Sequence, residues 1–163
     1  MSLEKLAQLG WYKAEPSSTE EIADLFSIVA RSLDDLKVEG ISDDLRFQAA
    51  YGGILTLANI ALRASGFRAS SGQGHHQRVI ESLEYTLTTQ DDESRERWVR
   101  KIKLHSQKRN MSSYDLAGGI SPTDLAQILK DLPALREQVN AWLREAHPEL
   151  LPKKPARGSE VAG

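Results

Sequence analysis

The sequence contains no cysteine, and aromatic residues make up only 6% of its 163 residues. Without cysteine there is no disulfide framework, no thiol catalysis and no zinc ribbon. The longest mostly apolar stretch, 54–62, is interrupted by Thr56 and Asn59 and is too short to span a bilayer. No basic N-terminal segment precedes a long apolar run, so a signal peptide is not expected. We therefore expect a soluble, cytoplasmic protein that does not associate with a membrane.

Sustained alternation of apolar and polar residues is also missing, which argues against long β-strands. Apolar residues instead recur every three or four positions, most clearly in 22–38, 47–62 and 125–142. Serines that suit helix N-caps precede these three segments, at Ser18, Ser42 and Ser121. The pattern predicts an all-α fold, an up-and-down bundle of four to five long helices.

The length of the chain is sufficient for one domain with its own hydrophobic core. We predict a single helical domain over residues 1–147 and a disordered C-terminal tail over 148–163. Segments 11–16 and 65–74 are predicted to be a connector and a flexible loop. Pro133 lies inside the last apolar segment and is predicted to kink or split that helix.

The net charge of −2 argues against bulk electrostatic binding of nucleic acid, but basic residues cluster locally. Arginines and lysines dominate 95–109, where only Glu96 opposes them. One interpretation is a solvated helix face whose bases lie toward the C-terminal end, as the helix dipole favours. The other is a surface that faces phosphate groups. On that second interpretation, the nucleic-acid-binding candidates are Lys108, Lys101 and Arg100.

Arg109 occupies an unusual position in the helix that this basic segment predicts. Trp98, Ile102, His105 and Arg109 recur at the spacing of one helix face, so the guanidinium falls on the stripe that Trp98 assigns to the core. Arginine is rarely fully buried unless it is paired. Arg109 therefore either reaches solvent past the core edge or points into a dimer seam or cleft. His105 is expected to be hydrogen-bonded and half-buried.

Arg109, Asn110 and Tyr114 form a candidate site at the end of this helix. The arginine fork suits a phosphate, the asparagine can orient a neighbour, and the phenol is a donor. Alternatively, Arg109 caps its own helix and the other two residues pin the following turn. If the chain stays helical, Tyr114 points about 140° away from Arg109. A turn after Met111 would bring the two together.

His75 and His76 lie at the start of another predicted helix. Adjacent positions on a helix diverge by about 100°, which is not the spacing of a metal-binding pair. No metal site is therefore expected. The two histidines either cap the helix at the surface or line a site.

The order of these motifs resembles the HEPN superfamily. The resemblance is carried by Gly74-His75-His76 at the head of one helix and by Lys108-Arg109-Asn110-x-x-x-Tyr114 at the end of the next. The opening segments also resemble a prokaryotic branch of this superfamily, in Leu9-Gly10-Trp11-Tyr12-Lys13-Ala14-Glu15-Pro16 and Glu20-Glu21-Ile22. The resemblance covers most of residues 1–145.

The resemblance implies a homodimeric helical bundle that cuts RNA without a metal or other cofactor, as a toxin of a toxin–antitoxin or defence system. In active members an arginine holds the phosphate and a histidine assists the attack of the ribose 2′-hydroxyl, in a cleft between two subunits. Arg109 and Asn110 match this pattern, whereas Tyr114 occupies the histidine position. Because a phenol is a poor base near pH 7, His75 and His76 are the candidates for the missing imidazole. The implied ligand is RNA or a nucleotide, and the implied protein partner is a nucleotidyltransferase-type antitoxin.

Two other functions remain open. Tyr114 and the mildly acidic net charge favour a non-catalytic dimeric interaction module that keeps the Arg-Asn turn for structural reasons. The third possibility is a small-ligand binder, with a pocket beside Gly52 and Gly53. These glycines lie in the predicted central helix, where small residues allow another helix to approach closely.

Overall fold

The computed structural model describes residues 1–114 and 119–152, with side chains through residue 110 and again from residue 119. The elements are, in chain order, α1 (Leu3–Gln8), β1 (Tyr12–Ala14), α2 (Thr19–Asp35), α3 (Asp43–Ala64), β2 (Phe67–Ala69), α4 (His75–Glu81), a 3-10 turn (Ser82–Glu84), α5 (Asp92–Tyr114), α6 (Pro122–Ala146) and a second 3-10 turn (Pro148–Leu150). The all-α prediction is confirmed as a mostly helical fold. No helix within the described ranges has the length and apolar character that crossing a membrane requires.

Serine hydroxyls begin the long helices α2, α3 and α6. Ser18, Ser42 and Ser121 each accept a hydrogen bond from the backbone N–H three residues on, at 3.0–3.1 Å. These are the predicted N-caps. Pro133 does not split the last helix, since α6 is continuous over Pro122–Ala146. The missing proline N–H is tolerated where Leu132 and Leu135 anchor the helix in the core.

The central helix is α3, which packs between α2 and α6. At Gly53 a Cβ atom would lie 2.9 Å from Cδ1 of Leu132 on α6 and 3.3 Å from Cβ of Ser32 on α2. A glycine here is what allows the two flanking helices to approach α3 so closely. Gly52, one position earlier, faces open space. The space at Gly53 is thus filled by Leu132.

A two-stranded antiparallel sheet joins the two segments predicted to be a connector and a flexible loop. Tyr12 of β1 lies opposite Ala69 of β2, and Ala14 lies opposite Phe67. The loop prediction is wrong for these residues because three-residue strands are too short to show an alternating pattern. Trp11 beside the sheet is exposed.

Arg63, which is almost fully buried near the end of α3, ties the sheet to α2. Its Nη2 and Nε atoms donate to Oε1 of Glu21 at 2.8 and 3.1 Å. Its Nη1 and Nη2 atoms also donate to the carbonyl oxygens of Glu15, Phe67 and Pro16. The hydrogen bond from Arg63 holds the pKa of Glu21 below its usual value. The guanidinium is buried because its donors are satisfied.

The first residues of the tail that was predicted to be disordered are ordered. Residues Pro148–Leu150 form a 3-10 turn, and Leu150 packs against the core. The hydroxyl of Thr19 donates to the carbonyl of Glu149 at 3.4 Å. The rest of the predicted tail, 153–163, lies outside the described residues.

Candidate functional site

Arg109 lies at the edge of the core, in the C-terminal part of α5. Its guanidinium carbon is 5.3 Å from the centre of the Tyr51 ring on α3, a cation–π distance. Tyr51 is 3% exposed, whereas Arg109 is half-buried. The guanidinium therefore rests on a buried aromatic face. This contact places Arg109 at the edge of the core, which is one of the two positions expected for a charged residue on the same helix face as Trp98.

His76 is electrostatically coupled to Arg109. It lies in the first turn of α4, which follows the left-handed Gly74. Partial burial lowers the pKa of His76, and the neighbouring His75 and the positive charge of Arg109 lower it further. The first turn of α4 is thus close enough to Arg109 for the charge on one group to affect the other. The imidazole of His76 is exposed and is mostly neutral at pH 7.

His75 has a different role in the local structure. Its Nδ1 atom is 3.3 Å from the carbonyl oxygen of Ser70, in the turn that follows β2. Its ring centre lies 5.7 Å from that of His76. His75 is therefore held against the backbone, and His76 is the more accessible of the two imidazoles.

The helix continues through the Arg-Asn motif. Residues from Arg109 to Tyr114 belong to α5, so the turn that would return Tyr114 toward Arg109 does not occur after Met111. Helical geometry puts position 114 about 140° from position 109 around the axis. Asn110 is exposed at the surface of α5. The side chain of Tyr114 lies outside the described part of the chain.

The other predicted basic residues face α6 or solvent. Nζ of Lys101 lies 3.4 Å from Oδ1 of Asp131, and Nζ of Lys108 lies 3.7 Å from Oδ2 of Asp124. Arg100 is exposed. The predicted basic cluster is thus divided, with Arg109 directed to α3 and the two lysines directed to α6.

A buried pair, His105 and Asp131, connects α5 to α6. Nε2 of His105 lies 2.8 Å from Oδ2 of Asp131, and the amide of Gln127 donates to Oδ1 at 2.9 Å. The prediction that His105 is hydrogen-bonded is confirmed. Its partner was not predicted, although Asp131 stands among apolar residues on the α6 stripe, next to Leu132. An acid at a core position was the available signal.

Within residues 1–110 and 119–152, no group of three or more histidine and acidic side chains is arranged to hold a metal ion. Comparisons of the chain with protein-family models, with curated proteins and with solved structures find no match. A functional proposal therefore rests on the chemistry of the site itself.

Proposed function

We propose that this chain is a HEPN-type RNA-binding protein that acts as a homodimer and cuts RNA without a metal, as a toxin of a toxin–antitoxin or defence system. The observation that carries the proposal is the half-buried guanidinium of Arg109, held 5.3 Å from the centre of the Tyr51 ring and near enough to His76 for its charge to lower the pKa of the imidazole. A fixed guanidinium and a neutral imidazole supply the two groups that such cleavage requires, although Tyr114 stands at the usual histidine position.

The chemistry assigns one role to each group. Arg109 would bind the phosphate through its forked donors, with the Tyr51 ring beneath it. His76 would accept the proton of the ribose 2′-hydroxyl as the 2′-oxygen attacks phosphorus. The bond from phosphorus to the 5′-oxygen breaks, and the departing oxygen takes a proton from the imidazolium of His76 or from solvent water. The products are a 2′,3′-cyclic phosphate and a 5′-hydroxyl, so no other reactant is needed. Asn110, exposed beside Arg109, would orient the substrate.

The test is incubation of purified protein with total RNA in EDTA. Wild type is compared with Arg109→Ala, His76→Ala and the matched control Arg100→Ala, which removes an exposed arginine from the same helix. We expect cleavage by wild type and Arg100→Ala, and little or none by the other two. Absence of cleavage by wild type would overturn the nuclease assignment.

The rival is a non-catalytic interaction module, and the contact between Arg109 and Tyr51 favours it. A cation–π contact of this kind stabilises a fold by about 0.5–2 kcal/mol, so the arginine has a structural use. If Arg109→Ala lowers the melting temperature strongly but leaves RNA affinity unchanged, this module is the correct assignment. An adjacent gene for a small nucleotidyltransferase would instead favour the toxin–antitoxin pair.

A further inference from the structure

A groove runs between α5 and α6. Two adjacent cavities, of about 490 and 480 Å³, line it and share Lys101, Lys130 and Asp131 in their walls. On α5 its lining residues run from Ser94 to Lys108, about 21 Å at the rise of an α-helix. No residue of α6 that lines it was among the sequence-predicted site residues.

The groove is more basic than the chain as a whole. Its charged lining residues are Arg97, Lys101, Lys108, Lys130, Asp124 and Asp131. Bases thus outnumber acids in a protein whose net charge is −2. A concave surface with an excess of charge of one sign attracts ligands of the other sign. The ligand indicated by the charge is an anion.

The floor of the groove is held together by hydrogen bonds, and its lysines lie nearer the surface. His105, Asp131 and Gln127 form a hydrogen-bonded set that joins the two helices. Lys101 and Lys108, by contrast, have side chains 39% and 43% exposed and reach their acids at only 3.4 and 3.7 Å. Lys101 is held by buried Asp131, whereas the more exposed pair of Lys108 and Asp124 contributes little, so Lys108 can turn toward a bound anion at small cost. Lys130, on α6, is exposed.

We infer that this groove holds a single strand of RNA by its phosphates, and that the strand crosses α5 from Lys108, on the α6 side, to Arg109, on the α3 side. The inference rests on the proposed function, because it describes how the RNA reaching Arg109 is held. Arg97, Lys101 and Lys108 lie along one face of α5, as a track for a phosphate backbone requires. Each cavity has the size of a site for one small ligand, which suits nucleotides entering singly. Leu104, 58% exposed in the groove, offers apolar surface to a base.

The experiment measures binding separately from cleavage. The probe is a fluorescent 2′-O-methyl RNA of about 12 nucleotides, a length suited to a single-strand site, whose blocked 2′-oxygen prevents cleavage. Fluorescence anisotropy in EDTA gives the Kd as a function of salt for wild type, Lys130→Glu and Lys108→Gln. The control is Lys13→Glu, which reverses an exposed lysine on β1. Urea unfolding verifies that each variant is folded.

We expect Lys130→Glu to raise the Kd about fivefold or more at low salt. Each groove variant should also reduce the slope of log K against log salt concentration by about 0.7, the value for the loss of one phosphate contact to a single strand. Lys13→Glu should match wild type. The inference is overturned if Lys130→Glu also matches wild type, or if wild type does not bind the probe. Displacement by poly-L-glutamate as readily as by unlabelled RNA would mark an acidic-peptide site and also overturn it.

The groove and the proposed nuclease fail in distinguishable ways. If Lys130→Glu binds the probe normally while Arg109→Ala loses cleavage, the groove inference is wrong and the nuclease stands. If Lys130→Glu loses binding while wild type cleaves nothing, the groove binds RNA but Arg109 and His76 are not a nuclease. If wild type neither binds the probe nor cleaves RNA, both the groove inference and the nuclease proposal are wrong.

Discussion

Nε2 of His105 lies 2.8 Å from Oδ2 of Asp131, and both side chains are buried between α5 and α6. Burial alone would raise the pKa of Asp131. The hydrogen bond from His105 and the charge of Lys101 outweigh this effect, so the pKa lies below its usual value. The ionised carboxylate therefore stabilises the folded state.

Replacing Asp131→Asn should lower the free energy of unfolding by about 2 kcal/mol at pH 7, because a buried charge-assisted hydrogen bond is weakened. The pKa of Asp131 is lower in the folded protein than the unfolded value near 3.9. Its stabilisation is therefore complete above about pH 4 and is lost as the pH falls through the folded pKa. Urea unfolding at several pH values should show the two proteins converging in acid. A constant difference between pH 6 and pH 3 would contradict this, and the exposed Asp24→Asn is the control.

The variant Arg109→Ala should raise the pKa of His76, because removal of a nearby positive charge makes the imidazolium easier to form. An NMR titration of the His76 ring measures this directly and does not depend on any enzymatic activity. Arg100→Ala, on the exposed side of the same helix, should leave the titration unchanged. Identical His76 curves for wild type and Arg109→Ala would show that the two groups do not form one site.

Two neighbouring glycines of α3 should respond to alanine with opposite signs. Gly53→Ala brings a methyl group to 2.9 Å from Leu132, so we expect a loss of about 1–2 kcal/mol from overpacking. Gly52→Ala meets nothing within 4 Å and should stabilise the helix by about 0.8–1 kcal/mol, the propensity difference between the two residues. Urea unfolding of the two variants tests this, and equal effects would contradict the close helix approach at Gly53.

The features predicted correctly from the sequence depend on local chemistry. Ser18, Ser42 and Ser121 cap helices through groups three residues away, so neighbouring sequence is sufficient to identify them. The pairing of His105 with Asp131 spans 26 residues and depends on how α5 packs against α6. Local patterns contain no information about that packing.

The candidate site likewise combines features that local sequence predicts with features that depend on helix packing. Helical spacing places Arg109 at the core edge, but only the packing of α5 against α3 brings the Tyr51 ring beneath it. The proximity of His76 to Arg109 likewise depends on how α4 lies against α5. The sequence identified both residues as candidates and left open whether they lie near each other.

The hydrogen bonds of Arg63 have a consequence for how the protein unfolds. Its acceptors lie in the segment before α2, in α2 itself and in β2, between 4 and 48 residues away along the chain. If any one of these segments separates from α3, a buried guanidinium is left with unsatisfied donors. Local opening of the small sheet is therefore as costly as a much larger rearrangement. The amide hydrogens that join β1 to β2 should consequently exchange with solvent together with those of α3, in a single cooperative event.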